Sequence, residues 1–379
     1  MFIDIHIVQS VPFSNLNRDE NGSPKTVPYG GATRARVSSQ SWKRVTRLRV
    51  ESLLESAKTY RTRNPHDRLA DLLAATGVEL TVATGAARWV FKMVGTETTD
   101  KKDNVILFVA ETELEALRDV YLANQIDIDR LASAPPKAKA KAAKDDEKEK
   151  KTPEETRLTK LLHDCLTVPR ASSVALFGRM LASAPTVNVD AAVQVAHAFS
   201  VHPVDIEIDY FSAAEDIPAP EDLTGGAHIG TAEFLTATFY RHATIDIREL
   251  LQNIGGKRDV AKELAVLLLS SFALSIPTGK NNVTAPHTVP DLVTFEVRAD
   301  RPLSYAAAFE EPIRSHNGYA QKAVDRLEDR VPRIHSMVDA PLANGHITSL
   351  PTSPSGLGPS HPSLSDLIDS AVTAAFASR

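Results

Sequence analysis

Six cations and no carboxylate stand between Arg34 and Arg49, in the run RARVSSQSWKRVTRLR. Arg34, Arg36, Lys43, Arg44, Arg47 and Arg49 form a row of fixed charge that could neutralise a polyanion such as a nucleic-acid backbone. The chain as a whole carries a formal net charge of −5. Binding of that kind must therefore use this local patch and not bulk charge. Ala32 to Ser38 alternates small or apolar residues with basic ones and reads as the end of a strand. Ser38 and Ser39 are N-cap residue types, so a helix follows. At about 100° per residue, Lys43, Arg44 and Arg47 share one arc of that helix, while Trp42, Val45 and Leu48 share the opposite one. The first turn, near Ser39 to Ser41, offers N–H groups suited to a phosphate. A solvated charged face is the alternative, although such faces usually mix signs.

Other chemistry is hard to place. Gly255-Gly256-Lys257 and Gly279-Lys280 lack the glycine spacing and the following Ser/Thr of a phosphate-binding P-loop. GxGxxG, GxSxG and HExxH do not occur. His197 and His202 are five apart, which puts them on opposite sides of a strand and off a common helix face. No metal site and no cofactor are expected. A ribonuclease with His6 or His228 as general base is conceivable, against the plainer role of a sheet histidine. The single cysteine, Cys165, excludes an internal disulfide and points to a reducing, cytoplasmic setting. No apolar run is long enough to span a bilayer, and MFIDIHIVQS alternates where a signal peptide would be continuously apolar. Hydrophobic residues at 42% and charged residues at 24% fit a globular chain, and 379 residues allow two or three domains.

The elements that must position the cationic stretch follow from periodicity. Phe2 to Ser10 is a strand with Ile3, Ile5 and Ile7 on one face and Asp4 and His6 on the other. Asn15 to Gly31 is a polar loop. Residues from about Tyr60 to Pro169 form an insertion, with helical periods at Arg68–Leu73 and Thr112–Leu122 and a short hairpin within Arg88–Leu107. Ala134 to Glu155 has no large apolar side chain and reads as a disordered linker. Ala191 to His202 and Glu233 to Ile247 are strands. The excursion between them, Pro203 to Gly230, contains DIEIDYF and an acidic turn. Lys257 to Leu274 is an apolar helix, Pro277 to Pro286 a Gly/Asn loop, and Asp291 to Val297 a strand. Leu303 to Val331 adds helices, and a linker at Thr352–Ser363 precedes a last amphipathic helix. Without its insertions the order is βαββαβ, the ferredoxin-like order of RNA-recognition domains, in an α+β fold.

LNRDE at Leu16–Glu20, YGGATRARVSSQSWKR at Tyr29–Arg44, ALFGRM at Ala175–Met180, VQVAHAFSVHPVDIEIDYF at Val193–Phe211 and GAHIGTAEF at Gly226–Phe234 occur in register with one family. The chain resembles the CasC family, the backbone subunit of the type I-E CRISPR surveillance complex, Cascade. The resemblance runs to about Phe309 and weakens in the insertion and the C-terminal tail. It implies a hand-shaped subunit. An RRM-like palm would comprise residues 1–59, 183–202 and 231–312. Helical fingers would span 60–182 and include the 134–155 linker. A β-hairpin thumb would span 203–230, followed by C-terminal helices and linker over 313–379. Copies would form a helical oligomer along one crRNA and present it to a target DNA strand. They would sit beside other Cascade subunits and leave cleavage to a recruited helicase-nuclease. The implied RNA contacts are Lys43 and Arg44 foremost, with Arg34, Arg36 and Arg47, the neutral donors Ser38 and Gln40, and Arg18, Arg179, Lys280 and Asn281. Met180 matches a position that wedges against bases, with core packing as its alternative. Ile206, Ile208, Tyr210, His228 and Ile229 would serve thumb and assembly. A ferredoxin-like endoribonuclease that processes CRISPR RNA is the competing class.

Overall fold

The alternation at the N-terminus is that of a strand, and in the computed structural model Phe2–Ser14 is one, β1. The structure describes residues 1–54, 58–95, 106–134, 152–167, 172–181, 184–213 and 228–377. After β1 come β2 (Thr26–Tyr29), β3 (Ala32–Val37) and helix α1 (Ser39–Leu53). Then follow β4 (Thr59–Thr62), α2 (Pro65–Ala74), α3 (Leu80–Val94), β5 (Leu107–Ala110), α4 (Glu111–Ala123), α5 (Gln125–Ser133), α6 (Pro153–Thr167) and α7 (Ser172–Phe177). Strands β6 (Val193–Val195), β7 (Ala198–Ser200), β8 (Glu207–Ala213) and β9 (His228–Asp246) lead to α8 (Ile247–Asn253) and α9 (Arg258–Leu274). The last elements are α10 (Asn281–Thr284), β10 (Leu292–Arg298), α11 (Ala320–His335), β11 (Ala343–Thr348) and α12 (Leu364–Ala375). Among the described residues no helix is long and apolar enough to cross a membrane.

The chain forms two compact units. The first comprises Met1–Val50, Val193–Ile247 and Ala265–Arg379. Its sheet runs β11-β10-β1-β9-β7-β3-β2, with β6 and β8 also paired to β9. Both β1 and β7 are antiparallel partners of the β9–β1 ladder's central strand β9, so they run parallel to each other with α1 between them in sequence. Likewise β9 and β10 both pair antiparallel with β1 and are separated by α9. Two interlocked crossovers of this kind are what a βαββαβ order requires, and the α+β class expected from the sequence is the class observed.

One face of this sheet carries Ile5, Ala243 and Ile245, which surround a small void together with Thr46 of α1 and Leu268, Leu269 and Phe272 of α9. The other face carries Asp4, His6 and Val8. It is not solvated: Tyr305, Phe309 and the Val324 and Leu327 side chains of α11 belong to a cluster with Val8 and Tyr240. Asp4 and His6 are fully buried. The His6 ring stacks on His242 at 4.8 Å and on Tyr305 at 4.3 Å, and its Nδ1 lies 2.9 Å from the Tyr240 hydroxyl. The Leu303 N–H donates to Asp4 at 2.9 Å. Burial pushes the Asp4 carboxyl up to about 7 and holds His242 down to about 4.

The second unit comprises Glu51–Ala192 and Arg248–Leu264. A two-stranded β4–β5 sheet accompanies helices α2 to α7, and the core includes Leu69, Leu73, Val90, Phe91, Leu117, Tyr121, Leu158 and Leu162.

Several local expectations are corrected. Ala191–His202 is two strands, because four residue steps from Val195 to Phe199 oppose three from Ala243 to Tyr240; the extra residue is a bulge. Arg88–Val94 is helical: its β-like residues are overridden by a helical row of buried Ala83, Ala86, Ala87, Val90, Phe91 and Val94. Of the expected hairpin only Leu107–Ala110 is a strand, and it pairs with β4; residues 96–105 lie outside the described residues. The linker ends before Thr152, whose hydroxyl accepts from Glu155 N–H at 3.1 Å while Glu155 Oε2 accepts from Thr152 N–H at 2.7 Å. This is a capping box that starts α6. The rest of that segment, 135–151, and the acidic turn, 214–227, lie outside the described residues. The polar loop before β3 contains β2, closed by Gly30 (φ 60°) and Gly31 (φ 74°), the left-handed pair that a two-residue hairpin turn needs. β11 was not expected from the sequence.

His242 protonates near pH 6.5 when unfolded and only near 4 when folded, so the unfolded state takes up the proton first as pH falls. Folded stability should therefore drop by about 2 kcal/mol between pH 6.5 and 5 from this residue alone. Asp4, which keeps its proton up to about pH 7 in the folded state, acts in the opposite sense. Denaturant melts of the wild type and of His242→Gln at pH 7 and pH 5 check this. The variant should lose less on acidification, and an equal loss would remove His242 as the cause.

Candidate nucleic-acid interface

The cationic helix is held by its apolar side. Ser38 caps α1, its hydroxyl accepting from the Ser41 N–H at 3.3 Å. Trp42, Val45, Thr46 and Val50 are buried, whereas Leu48, expected on the same arc, is 41% exposed. Trp42 lies over the guanidinium of Arg241, 3.8 Å from ring centroid to Cζ, and Phe272 flanks it at 4.7 Å. Arg241 also donates to Gln9 and to the Phe272 and Ala273 carbonyls near the end of α9. The opposite side of α1 presents half-buried Lys43 and exposed Arg44. Among the described residues neither has a hydrogen-bond or ion-pair partner, and burial alone pushes the Lys43 ammonium down. An anion beside Lys43 would offset that cost. Gln40 is exposed and Arg47 half-buried on the same helix.

Two loops join this surface. Asn17 Oδ1 accepts from the Ser38 N–H at 2.9 Å, which ties the loop bearing exposed Arg18 to the start of α1. Gly279 sits so close to the Asn15 and Leu16 carbonyls that a Cβ there would lie 2.4 Å and 2.6 Å from them. Lys280 and Asn281 follow immediately, at the start of α10. Thus Arg18, Ser38, Gln40, Lys280 and Asn281 are linked through the stretch Asn15–Arg18. Arg36 is half-buried, with Nη1 3.2 Å from His197 Nδ1.

Two predicted contacts fall elsewhere. Arg34 is fully buried: it donates to the carbonyls of Tyr29, Ser200, Phe309 and Glu310 at 2.8–3.2 Å. Arg179 is also buried, paired with Glu113 at 2.9 Å and donating to the Val187 and Leu166 carbonyls. Their donors are spent on protein acceptors, so both residues hold the fold and neither reaches a phosphate. Adjacent Met180, by contrast, is 83% exposed, which rules out core packing for it.

Beyond the palm strands, β8 pairs with the first part of β9, from Glu207↔Phe234 to Ala213↔His228. Ile206, Ile208 and Tyr210 alternate along one side and are 40%, 62% and 76% exposed. Phe211 points the other way, its ring where a Cβ on Gly230 would be. Only the backbone of His228 and Ile229 is described. Near the base of this ribbon, Phe13 occupies a β-bulge between Val11 and Ser14, with φ 45° and 60% exposure. A bulky residue there is strained. Pro12 precedes it, and proline inside a strand marks a bulge or an edge.

The fold is an α+β antiparallel sheet with helices, a basic helix packed by its apolar side and an exposed two-stranded ribbon. The chain belongs to the CT1975-like protein family, which it matches over residues 3–369. Among solved structures it is similar to a chain described as a CRISPR RNA-guided surveillance complex, pre-nicking, with 35% identity, a TM-score of 0.84, and coverage of 99% of this chain and 100% of that one. A second, described as a CRISPR RNA-guided surveillance complex, gives 31% identity, a TM-score of 0.75 and the same coverage. A comparison with curated proteins returned no match.

Replacing Arg179 with Met should leave Glu113 buried and uncompensated. A loss of about 3–5 kcal/mol is expected from breaking such a pair. Urea unfolding of the variant measures it; full stability combined with lost RNA affinity would return Arg179 to the interface.

Proposed function

We propose that this chain is a non-catalytic backbone subunit of the CasC kind in a type I-E Cascade complex. It polymerises along the crRNA, protects it in the cytoplasm and presents it for pairing with target DNA in antiviral defence. Its partners are the crRNA, the paired DNA strand, further copies of itself, other Cascade subunits and a helicase-nuclease recruited by the whole complex. The observation that carries this is the full-length likeness, at 35% identity, to a chain of an RNA-guided surveillance complex. Further support comes from half-buried Lys43 and exposed Arg44, which have no hydrogen-bond or ion-pair partner among the described residues, on the helix whose start is tied to the Arg18 loop. The fully buried His6 speaks against a ribonuclease that uses it as base, since a general base must reach its substrate. The exposed row Ile206, Ile208 and Tyr210 costs free energy in a lone subunit, and a neighbouring copy with its RNA would cover it. Met180, exposed and flexible, suits a wedge between bases.

Lys43→Ala/Arg44→Ala should weaken retention of guide-length RNA while the protein stays folded. Each lost phosphate contact lowers the salt slope by about 0.7 for a single strand, so the double variant should lose about 1.4. Unchanged affinity and slope would contradict the placement. Incubation of the wild type with repeat RNA separates binding from processing: intact RNA is expected, and cleavage would favour the endoribonuclease.

Replacing Pro203–Gly230 with a short Gly/Ser turn should leave a folded subunit that binds RNA weakly and forms no ordered filament. Light scattering with guide-length RNA measures this, and complexes of wild-type mass would deny the ribbon an assembly role.

A further inference from the structure

The first unit carries a second basic feature, away from α1. A cavity of about 450 Å³ is lined by the Gly30–Gly31 turn, Glu311, Arg314, Lys322 and Arg326, among others. Three cations thus face one carboxylate. Arg326 is held in place by the Ala308 carbonyl at 3.4 Å and by Glu311 at 3.5 Å. Lys322 lies one turn earlier on α11, and both it and Arg314 are exposed. Among the described residues neither has a hydrogen-bond or ion-pair partner.

The wall of this cavity is rigid. Gly30 is pressed onto the Glu310 carbonyl, where a Cβ would lie 1.5 Å away, and buried Arg34 ties β3 to Phe309 and Glu310. Among the described residues no exposed large hydrophobic side chain lines it. A protein partner would lack the apolar anchor that interfaces use, whereas phosphates need only fixed cations. Six residues of β3 separate the Gly31 turn from Ser38, about 20 Å of strand. The two basic sites therefore sit toward opposite ends of one strand.

We propose that this cavity is a second phosphate site, taking a phosphodiester of a nucleic acid that lies along the β2–β3 hairpin. It adds to the contacts of Lys43 and Arg44 and rests on the nucleic-acid-binding role proposed above. The test is the full chain carrying Arg314→Ala/Lys322→Ala. Fluorescence anisotropy over a salt series uses guide-length RNA, the same RNA paired to complementary DNA, and an oligoglutamate peptide. An unchanged melting temperature and a salt slope lower by about 1.4 are expected. A deficit with both nucleic acids assigns the guide's phosphates to the cavity, and a deficit with the hybrid alone assigns the DNA strand's. An unchanged slope on both, while Lys43→Ala/Arg44→Ala lowers it, overturns the cavity site and leaves the α1 assignment standing. Unchanged slopes in both double variants overturn the nucleic-acid role itself. Loss of oligoglutamate binding alone overturns the site in favour of an acidic protein partner. If the double variant melts early, Lys322→Gln, which keeps most of the stem, decides: a deficit of about 0.7 supports the site and none overturns it.

Discussion

The buried guanidinium of Arg241 holds the cationic helix in place. It lies between Trp42 of α1 and Phe272 of α9 and, among the described residues, has no carboxylate partner in its hydrogen bonds. Its acceptors are the Gln9 side chain and the Phe272 and Ala273 carbonyls. The last carbonyls of a helix lack intrahelical donors and carry its partial negative charge. A cation placed there satisfies them, and the two aromatic faces add cation–π attraction. One side chain on the central strand β9 thereby fastens both crossover helices to the sheet. Burial still pushes Arg241 down to about 9, which leaves it charged at neutral pH.

Arginine serves two opposite purposes in this protein. Arg34, Arg179, Arg241 and Arg298 are buried, and the planar fork of the guanidinium lets each satisfy several fixed acceptors at once. Arg34 cross-ties the β2–β3 hairpin through carbonyls alone. Arg179 instead meets a buried carboxylate, Glu113, which also accepts from the Ala110 N–H at 2.9 Å. Arg18 and Arg44 remain exposed. Buried arginines fix the frame and exposed ones present charge, although the two kinds alternate within a few residues of sequence.

The second face of the sheet is covered, so the exposed cations Arg18 and Arg44 lie off it, on a loop and on α1. RNA-recognition sheets commonly stack bases on an open face. Here that face is filled by His6, Tyr240, His242 and Tyr305 beneath α11. Positive charge is left at the edges and loops, and apolar exposure is left on the β8–β9 ribbon.

Patterns with a short period were legible in the sequence. The strand at the N-terminus, the capped basic helix with Trp42 and Val45 inward, the apolar α9 and the βαββαβ order all follow from local alternation or helical spacing, because each depends on neighbours in the chain. Lys43, Arg44 and the exposed row Ile206, Ile208 and Tyr210 were found in the same way. Tertiary structure alone decided what long-range partners decide. Arg34 and Arg36 stand two residues apart on β3, yet carbonyls from residues 200, 309 and 310 draw Arg34 inside. Asp4 and His6 alternate like a solvated face, but a segment some 300 residues later covers them. Arg314, Lys322 and Arg326 line one cavity only where the loop before α11 meets the turn at Gly30. Sequence patterns report which face a residue takes on its own element; the fold determines what, if anything, lies against that face.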